Sequence, residues 1–257
     1  MITDTEHEGS FSVLIIGASR GIGAGFVEAL AKRSDVNKVF CAARRPNDSA
    51  KLVSLIEQHP KRLVPIACDI ADEASIEAMA ASLARQTKHL HWIINTAGLL
   101  HAGSDLQPER RLKDVDPGNI QRSFAVNSIG PVLLAKHLTA LMPRRDDCIF
   151  ATLSARVGSI SDNRLGGWYA YRAAKAAQNM LTKTLSIELK RTHRKIRVVA
   201  LHPGTVDTDL SAPFNATNTK KRFSVGQSVT YLLKVLEQLD EQDNGKFFAW
   251  DGQEIAW

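Results

Sequence analysis

The stretch Ser12-Val-Leu-Ile-Ile-Gly-Ala-Ser-Arg-Gly-Ile-Gly23 joins an apolar run to a turn that holds three glycines. The apolar part predicts a buried strand, and the residues after it predict a helix. In such a unit Gly17 permits a tight turn, Gly21 lets the backbone approach a ligand, and Gly23 lets the helix pack closely against the strand. Because the N-terminus of the helix offers free N–H groups to a pyrophosphate, the stretch predicts a dinucleotide site.

The same alternation of apolar strands and longer helices continues along the chain. The predicted strands are 12–17, 38–43, 63–68, 91–95, 148–153, 196–201 and 245–250, and the predicted helices are 22–32, 76–87, 117–142, 168–191 and 228–239. Continuous apolar strands alternating with helices indicate an α/β protein with a mostly parallel, seven-stranded sheet covered on both faces. Such a sheet binds ligands at the carboxyl ends of its strands. Residues 211–223 lack periodicity, which predicts a mobile loop there that serves as a substrate lid.

Tyr171 and Lys175 are separated by four residues in a segment with a helical pattern. This spacing places both side chains on one face of the helix. An ammonium beside a phenol favours the phenolate, so we expect the lysine to lower the pKa of the tyrosine from about 10. Such a phenol can give a proton to the oxygen of a carbonyl, or take one from an alcohol. The pair by itself is weak evidence, because many surface helices contain it.

Composition excludes several classes of function. The 257 residues fit one large α/β domain over 11–257, preceded by a polar, disordered lead-in over 1–10 that is no secretory signal. No apolar run approaches the roughly 18–20 residues that span a bilayer, so we expect no membrane segment. Cys41, Cys68 and Cys148 are odd in number and lack metal-ligand spacing. They predict buried free thiols in a reducing cytoplasm, and no metal site.

The net charge of +6 raises the question of nucleic-acid binding. The basic clusters are scattered along the chain, and no aromatic residues are interleaved with them. We therefore expect a solvated basic surface that attracts anionic cofactors, rather than a nucleic-acid interface.

Taken in order, five motifs resemble those of the short-chain dehydrogenase/reductase family over nearly the whole chain. They are the glycine turn, Asn95-Thr-Ala-Gly98, Asn127, Tyr171-x-x-x-Lys175 and Pro203-Gly204. The stretch Gly158-Ser-Ile-Ser-Asp-Asn-Arg-Leu-Gly-Gly-Trp-Tyr-Ala-Tyr-Arg172 is similar to the branch that contains sniffer-type carbonyl reductases and C-signal-type proteins. The resemblance implies a single-domain, doubly wound Rossmann fold.

The resemblance also implies roles for individual residues. Tyr171 is implied as the acid/base, Lys175 as the group that binds the nicotinamide ribose, and Asn127 as the holder of a proton-relay water. Thr96 stands where the family often has a second asparagine, which leaves one stabilising contact there uncertain. The residues expected to contact the cofactor are Gly17, Ser19, Arg20, Gly21, Ile22, Gly23, Arg44, Asp69, Ile70, Asn95, Ala97, Gly98, Tyr171, Lys175, Pro203, Gly204, Val206 and Thr208.

The end of the second predicted strand indicates which nicotinamide cofactor fits. An acidic residue there would select NAD by bonding the ribose 2′-hydroxyl. The sequence instead reads Ala42-Ala43-Arg44-Arg45, and Arg20 lies within the glycine turn. Two guanidinium groups suit a 2′-phosphate, so we expect NADP(H). The alternative is that Arg44 and Arg45 only precede a helix cap.

The chain departs from the family at the catalytic serine. That position falls on Ala155, which has no hydroxyl. Three interpretations stay open: Ser154 serves instead, another hydroxyl such as Ser159 serves, or the protein is slow, specialised or inactive. Ser154 is our expected substitute, although adjacent side chains of an extended segment point to opposite faces.

These observations predict an NADPH-dependent oxidoreductase that reduces an aldehyde, ketone or quinone to an alcohol. We expect Trp168, Tyr169 and the loop near Phe214 to close its pocket. The alternative is a catalytically weak, NADP(H)-binding regulatory or signalling protein of the same fold. The resemblance implies a homodimer or homotetramer built on the helices at 117–142 and 168–191. Their apolar residues Leu133, Leu134, Leu138, Met180, Leu181 and Leu185 fit that interface or the core.

Overall fold

β1 (Phe11–Ile16) lies in the interior of the sheet, and both of its faces are apolar. Val13 and Ile15 pack into one core layer, whereas Leu14 and Ile16 pack into the layer on the opposite face. The sheet is therefore covered on both sides, as the continuous apolar strands predicted. The computed structural model describes residues 11–217 and 222–257. The predicted lead-in and residues 218–221 of the predicted lid lie outside the described residues.

The sheet has seven strands in the order β3-β2-β1-β4-β5-β6-β7, and every neighbouring pair is parallel. The other strands are β2 (Val36–Ala43), β3 (Leu63–Ala67), β4 (Trp92–Asn95), β5 (Cys148–Leu153), β6 (Ile196–His202) and β7 (Phe247–Ala249). The predicted architecture is confirmed, with a sheet that is parallel throughout. β1 pairs with β2 on one side and β4 on the other, so the order of the strands reverses there. Ligands of such sheets bind at this point.

Seven α-helices flank the sheet in the described residues: α1 (Gly21–Ala31), α2 (Ala50–Gln58), α3 (Glu73–Ala84), α4 (Pro117–Phe124), α5 (Gly130–Leu138), α6 (Tyr169–Leu189) and α7 (Val225–Gln238). α1, α2 and α7 contribute to one core layer, while α3 and α5 contribute to the other. The sequence did not predict α2. The feature of the sequence that could have predicted α2 is Ser49, whose side chain accepts a hydrogen bond from the Leu52 amide at 3.2 Å and caps the helix.

The predicted helix at 117–142 is present, but it contains one wide turn. α4 and α5 are joined by a π-helical turn, Ala125–Ile129. The stretch Pro117–Leu141 has the length and composition of a membrane span. Leu134 and Leu138 are fully buried in the core of the protein, as in a helix that covers a sheet.

All three cysteines are free and buried, as predicted. Burial raises the pKa of each thiol to about 12, because the charged thiolate is poorly solvated inside the protein. A thiolate is the reactive form, so these residues are inert core groups at neutral pH.

Candidate active site

The glycine turn follows β1 directly, and at Gly17 and Gly23 it is packed too tightly for a side chain. Gly17 has φ of +84°, and a Cβ added to it would lie 2.8 Å from the Thr96 hydroxyl oxygen. A Cβ added to Gly23 would overlap the carbonyl oxygen of Gly17. The turn is therefore held against the end of β4, where Thr96 Oγ1 donates a hydrogen bond to the carbonyl of Ile16 at 2.7 Å. The sequence had left uncertain whether Thr96 makes a stabilising contact at this position, and the structure shows this hydrogen bond.

The first turn of α1 faces a crevice of about 630 Å³ beside the glycine turn. Its N-cap residue, Arg20, makes no capping bond with its side chain, and the first turn carries no acidic residue. The N–H groups of that turn are thus not covered by a side chain, which suits an anion. The predicted cofactor residues that line this crevice are Gly17, Ser19, Arg20, Gly21, Ile22, Gly23, Arg44, Asp69, Ile70, Ala97, Gly98 and Thr208.

Asn95 does not line the crevice, although the sequence placed it among the cofactor contacts. The Asn95 side chain is fully buried and lies outside the lining of the crevice. Its Nδ2 donates to Thr152 Oγ1 at 3.2 Å, and its Oδ1 accepts from the Ala97 amide at 3.1 Å. Asn95 therefore joins β4 to β5 and fixes the turn after β4, in which Ala97 and Gly98 line the crevice.

Arg44 and Arg45 directly follow β2, and their side chains have different surroundings. Arg44 lines the crevice, whereas the Arg45 guanidinium lies 3.2 Å from the Asp48 carboxylate. Arg20 also lines the crevice, and it forms an exposed ion pair with Asp209 at 3.3 Å. Exposed pairs contribute at most about 1 kcal/mol, so this one does not prevent Arg20 from binding another anion.

Tyr171 and Lys175 lie one turn apart at the start of α6, with Nζ 5.7 Å from the centroid of the phenol ring. The lysine is buried, and its Nζ donates to the Leu153 carbonyl and to Gln178 Oε1, both at 2.8 Å. Burial lowers the pKa of Lys175 to about 7. Burial also raises the pKa of Tyr171 above its ordinary value. The expected lowering of the tyrosine pKa is therefore not found, because the loss of water around both groups outweighs their attraction.

Gln178 holds this lysine and was missed by sequence analysis. Its side chain is 1% exposed. Besides accepting from Lys175, it donates through Nε2 to the Leu153 carbonyl at 3.2 Å and to the Thr152 hydroxyl. The available signal was an amide three residues after the lysine, on the same face of a helix.

Asn127 lies in the π-helical turn and is pinned to the loop after β4. Its Nδ2 donates to the Leu99 carbonyl at 2.7 Å, and its Oδ1 accepts from the Leu99 amide at 3.0 Å. A Cβ added to Gly98 would lie 3.4 Å from that Oδ1 and 4.0 Å from Lys175 Nζ. Asn127 and Lys175 thus border the same small space, beneath the wall of the crevice. π-Helical turns of this kind are frequent at functional sites.

A second cavity of about 1000 Å³ adjoins the crevice, and Ile22, Thr208 and Leu210 line both. Tyr171 and Ala155 line this cavity, which is largely apolar. Pro203, Gly204 and Val206, predicted as cofactor contacts, lie in its wall. The crevice and the cavity are therefore neighbours that share part of their walls.

Aromatic side chains close the second cavity. Trp168 and Phe214 line it, with ring centroids 5.0 Å apart, and the Trp168 ring also lies 6.2 Å from that of Tyr171. Tyr169 is 41% exposed and is not part of the lining, in contrast to the expectation that it closes the pocket. Its position at the first residue of α6 directs it away from the cavity, while Tyr171 two residues later is buried.

The two expected substitutes for the missing serine have other partners. Ser154 lies in the cavity wall, but its hydroxyl donates to Asn179 Oδ1 at 2.7 Å. Ser159 donates to the Ala256 carbonyl at 2.6 Å. Because a hydroxyl has one proton, neither donates to a substrate in this conformation. Ala155, at the position of the missing serine, lines the cavity together with Tyr171 and offers no hydroxyl.

The turn before α6 is strained and is anchored by Glu109, a second residue that sequence analysis missed. Gly166, Gly167 and Trp168 have φ of 63°, 66° and 53°, and a left-handed tryptophan costs about 1–3 kcal/mol. The Glu109 carbonyl accepts from the Trp168 amide at 2.6 Å, and its Oε2 accepts from the Ala170 amide at 3.2 Å. Glu109 is buried and so holds Trp168 over the cavity. It lies in a polar run that gives no signal of this role.

Comparison with known proteins agrees with this geometry. Residues 12–219 match the family model described as short chain dehydrogenase. The chain belongs to that family. Among solved structures of short-chain dehydrogenases, the NADPH-bound carbonyl reductase from chicken fatty liver is 33% identical, with a TM-score of 0.85 over 96% of this chain and 99% of that one.

Two further relatives confirm the branch of the short-chain dehydrogenase family that the sequence resembled. The carbonyl reductase Sniffer of D. melanogaster is 27% identical, with a TM-score of 0.85 over 96% of this chain and all of that one (100%). The C-signal of Myxococcus xanthus is 35% identical over 149 residues, which cover 57% of this chain and 83% of the relative.

Replacement of Lys175 by methionine tests the buried ammonium. The lysine releases its proton near pH 7 in the folded protein, against an ordinary pKa of 10.5. Between these two values the unfolded chain binds more protons, so we expect the wild type to gain stability relative to Lys175→Met as the pH rises from 7 to 10. Below pH 7 the difference should be constant. Urea unfolding of both proteins at each pH measures it, and a difference independent of pH would contradict the lowered pKa.

Proposed function

We propose that this short-chain dehydrogenase uses NADPH to reduce small or medium-sized aldehydes, ketones or quinones to alcohols, with Tyr171 as the proton donor. One observation carries the proposal: Tyr171 lines the apolar cavity that adjoins the crevice beside the glycine turn, and Lys175 lies one turn further along the same helix with its Nζ 5.7 Å from the phenol ring. A carbonyl compound in the cavity would lie between the tyrosine and a cofactor in the crevice. The likeness to carbonyl reductases supports the same assignment.

The residues of the crevice fit a dinucleotide. Gly17 and Gly23 let the turn pack closely against Thr96, because a Cβ at either position would not fit, and the uncapped N-terminus of α1 faces the crevice. Arg44, assisted by Arg20, fits the 2′-phosphate that distinguishes NADPH from NADH. Asp69 and Ile70 would contact the adenine side. When bound, NADPH would supply the hydride for the carbonyl carbon.

The tyrosine is suited to donate its proton in the direction of reduction. Burial raises its pKa, so the phenol is protonated at neutral pH and can give that proton to the carbonyl oxygen. Lys175, with a pKa of about 7, can in turn pass a proton towards the phenolate. Asn127 Oδ1 borders the same space and has a second lone pair for a relay water.

Three wider assignments are part of the proposal. Residues 11–257 would act as one domain in the cytoplasm, in agreement with their three free thiols.

Leu134 and Leu138 are core residues, but Met180 and Ile187 on α6 are 66% and 55% exposed. We assign that exposed face of α6 to a homodimer or homotetramer, since apolar side chains in register on one helix face favour association.

Tyr171→Phe tests the proton donor. We expect NADPH oxidation, followed at 340 nm with a panel of aldehydes, ketones and quinones, to fall by about 10²–10⁴-fold, because general acid catalysis contributes that much. NADPH binding, followed by the fluorescence of the nicotinamide, should be retained. The matched control is Tyr169→Phe, which alters an exposed phenol outside the cavity. Negligible turnover in all three proteins, with NADPH bound, would favour the regulatory protein that Ala155 suggests.

Arg44→Ala tests the choice of cofactor. Loss of a guanidinium beside the 2′-phosphate should raise the KM for NADPH by about 10-fold or more and leave the KM for NADH little changed. Arg45→Ala is the matched control, because that guanidinium pairs with Asp48. Equal effects of Arg44→Ala on both cofactors would contradict the assignment.

Ala155→Ser tests the missing hydroxyl. Ala155 faces the cavity beside Tyr171, so a serine there should add a donor to the carbonyl oxygen and raise kcat by about 10-fold or more. Ser154→Ala should change kcat much less, since that hydroxyl donates to Asn179. It should instead lower the free energy of unfolding by about 1–3 kcal/mol, because Asn179 loses a buried partner. A collapse of kcat in Ser154→Ala would restore Ser154 as the donor.

A further inference from the structure

The rim of the apolar cavity is rich in arginine. Arg156, Arg164 and Arg172 line it, and Asp162 is the single carboxylate in the same lining. Arg156 directly follows Ala155, and Arg172 directly follows Tyr171. Positive charge is therefore concentrated in the wall of the cavity that also holds Tyr171.

These arginines are only weakly neutralised by the protein. Arg172 donates to two backbone carbonyls, those of Gly167 at 3.0 Å and Val157 at 3.3 Å. The Arg156 guanidinium is 3.9 Å from the Asp162 carboxylate, which is long for an ion pair. Within residues 11–217 and 222–257, no carboxylate forms an ion pair with Arg164 or Arg172. The rim thus keeps a positive charge that a ligand can meet.

This charge is separate from the charge that fits the cofactor. Arg20, Arg44 and Arg122 line the crevice beside the glycine turn, whereas Arg156, Arg164 and Arg172 line the cavity alone. Arg156 and Arg164 belong to the segment between β5 and α6, and Arg172 lies in the first turn of α6, directly after Tyr171. A phosphate of the dinucleotide therefore does not account for them.

We propose that the substrate is a carbonyl compound with an apolar body and a carboxylate group that the rim arginines bind; this rests on the reductase function proposed above. The aromatic wall of Trp168, Phe214, Phe223 and Trp250 suits the apolar body. A guanidinium matches a carboxylate with two parallel hydrogen bonds, and its attraction is strengthened where water is partly excluded. Arg172 orders the base of the 158–166 loop through its two carbonyl contacts, so Arg156 and Arg164 are the side chains free to follow the substrate.

The test compares 4-carboxybenzaldehyde with 4-carbamoylbenzaldehyde, which has a similar shape and no charge. We expect kcat/KM with NADPH to favour the carboxylate. In Arg156→Gln and in Arg164→Gln the preference should fall by up to about fivefold, the range of a partly exposed ion pair. Asp162→Asn should increase the preference, because it removes both a repelling charge and a competing partner of Arg156.

Arg85→Gln is the matched control. It removes the same charge from an exposed residue at the end of α3, outside both cavities, and should leave the preference unchanged. A wild-type enzyme that turns over both aldehydes equally would overturn the proposal. So would a preference that survives in Arg156→Gln and Arg164→Gln, or that falls equally in Arg85→Gln.

A binding measurement separates this proposal from the reductase function on which it rests. Calorimetric titration with 4-(hydroxymethyl)benzoate and 4-(hydroxymethyl)benzamide, the corresponding alcohols, needs no turnover. Tighter binding of the benzoate, lost in the two arginine variants, supports the carboxylate site. If the proteins show this binding but reduce neither aldehyde, the carboxylate site stands and only the reductase function is contradicted. Equal binding of the two alcohols overturns the carboxylate site, whatever the enzyme reduces.

Discussion

A buried ammonium must find hydrogen-bond acceptors inside the protein, and Lys175 finds them at the end of β5. Its Nζ is held by the Leu153 carbonyl and by Gln178, so the strand and the helix fix it together. The backbone before α6 has to fit closely around it, since a Cβ added to Gly158 would lie 2.7 Å from the lysine Cβ. Tyr171, one turn earlier, is thereby placed in the wall of the cavity. Desolvation of this pair also sets both pKa values.

Around Tyr171 and Lys175, polar side chains of the neighbouring elements form hydrogen bonds within the protein. Thr96 closes the glycine turn, Asn95 joins β4 to β5, and Asn127 binds the loop after β4. Such buried contacts are costly when partly satisfied, so a complete set specifies one arrangement of the loops. The crevice and the cavity meet at this arrangement, where Ile22 and Thr208 line both.

The segment between β5 and α6 forms much of the wall of the cavity. Its Ser154 hydroxyl serves the scaffold through Asn179, and Ala155 faces the ligand space. Glu109 offsets the strain of a left-handed Trp168 and keeps that ring over the cavity. The described wall thus holds Tyr171 but has no hydroxyl at position 155, and the rim arginines supply charge to the same space.

The sequence by itself determined the strands, most helices, the glycine turn and the spacing of Tyr171 and Lys175, because periodicity and turn geometry are local properties of the chain. It missed α2, whose Ser49 cap was its main signal, and it could not assign Gln178 or Glu109. Tertiary structure alone decided the partner of Ser154, the exposure of Tyr169 and the pKa values of Tyr171 and Lys175. These depend on which groups, distant in the chain, exclude water from one another, and burial of that kind exists only once the sheet and helices are packed.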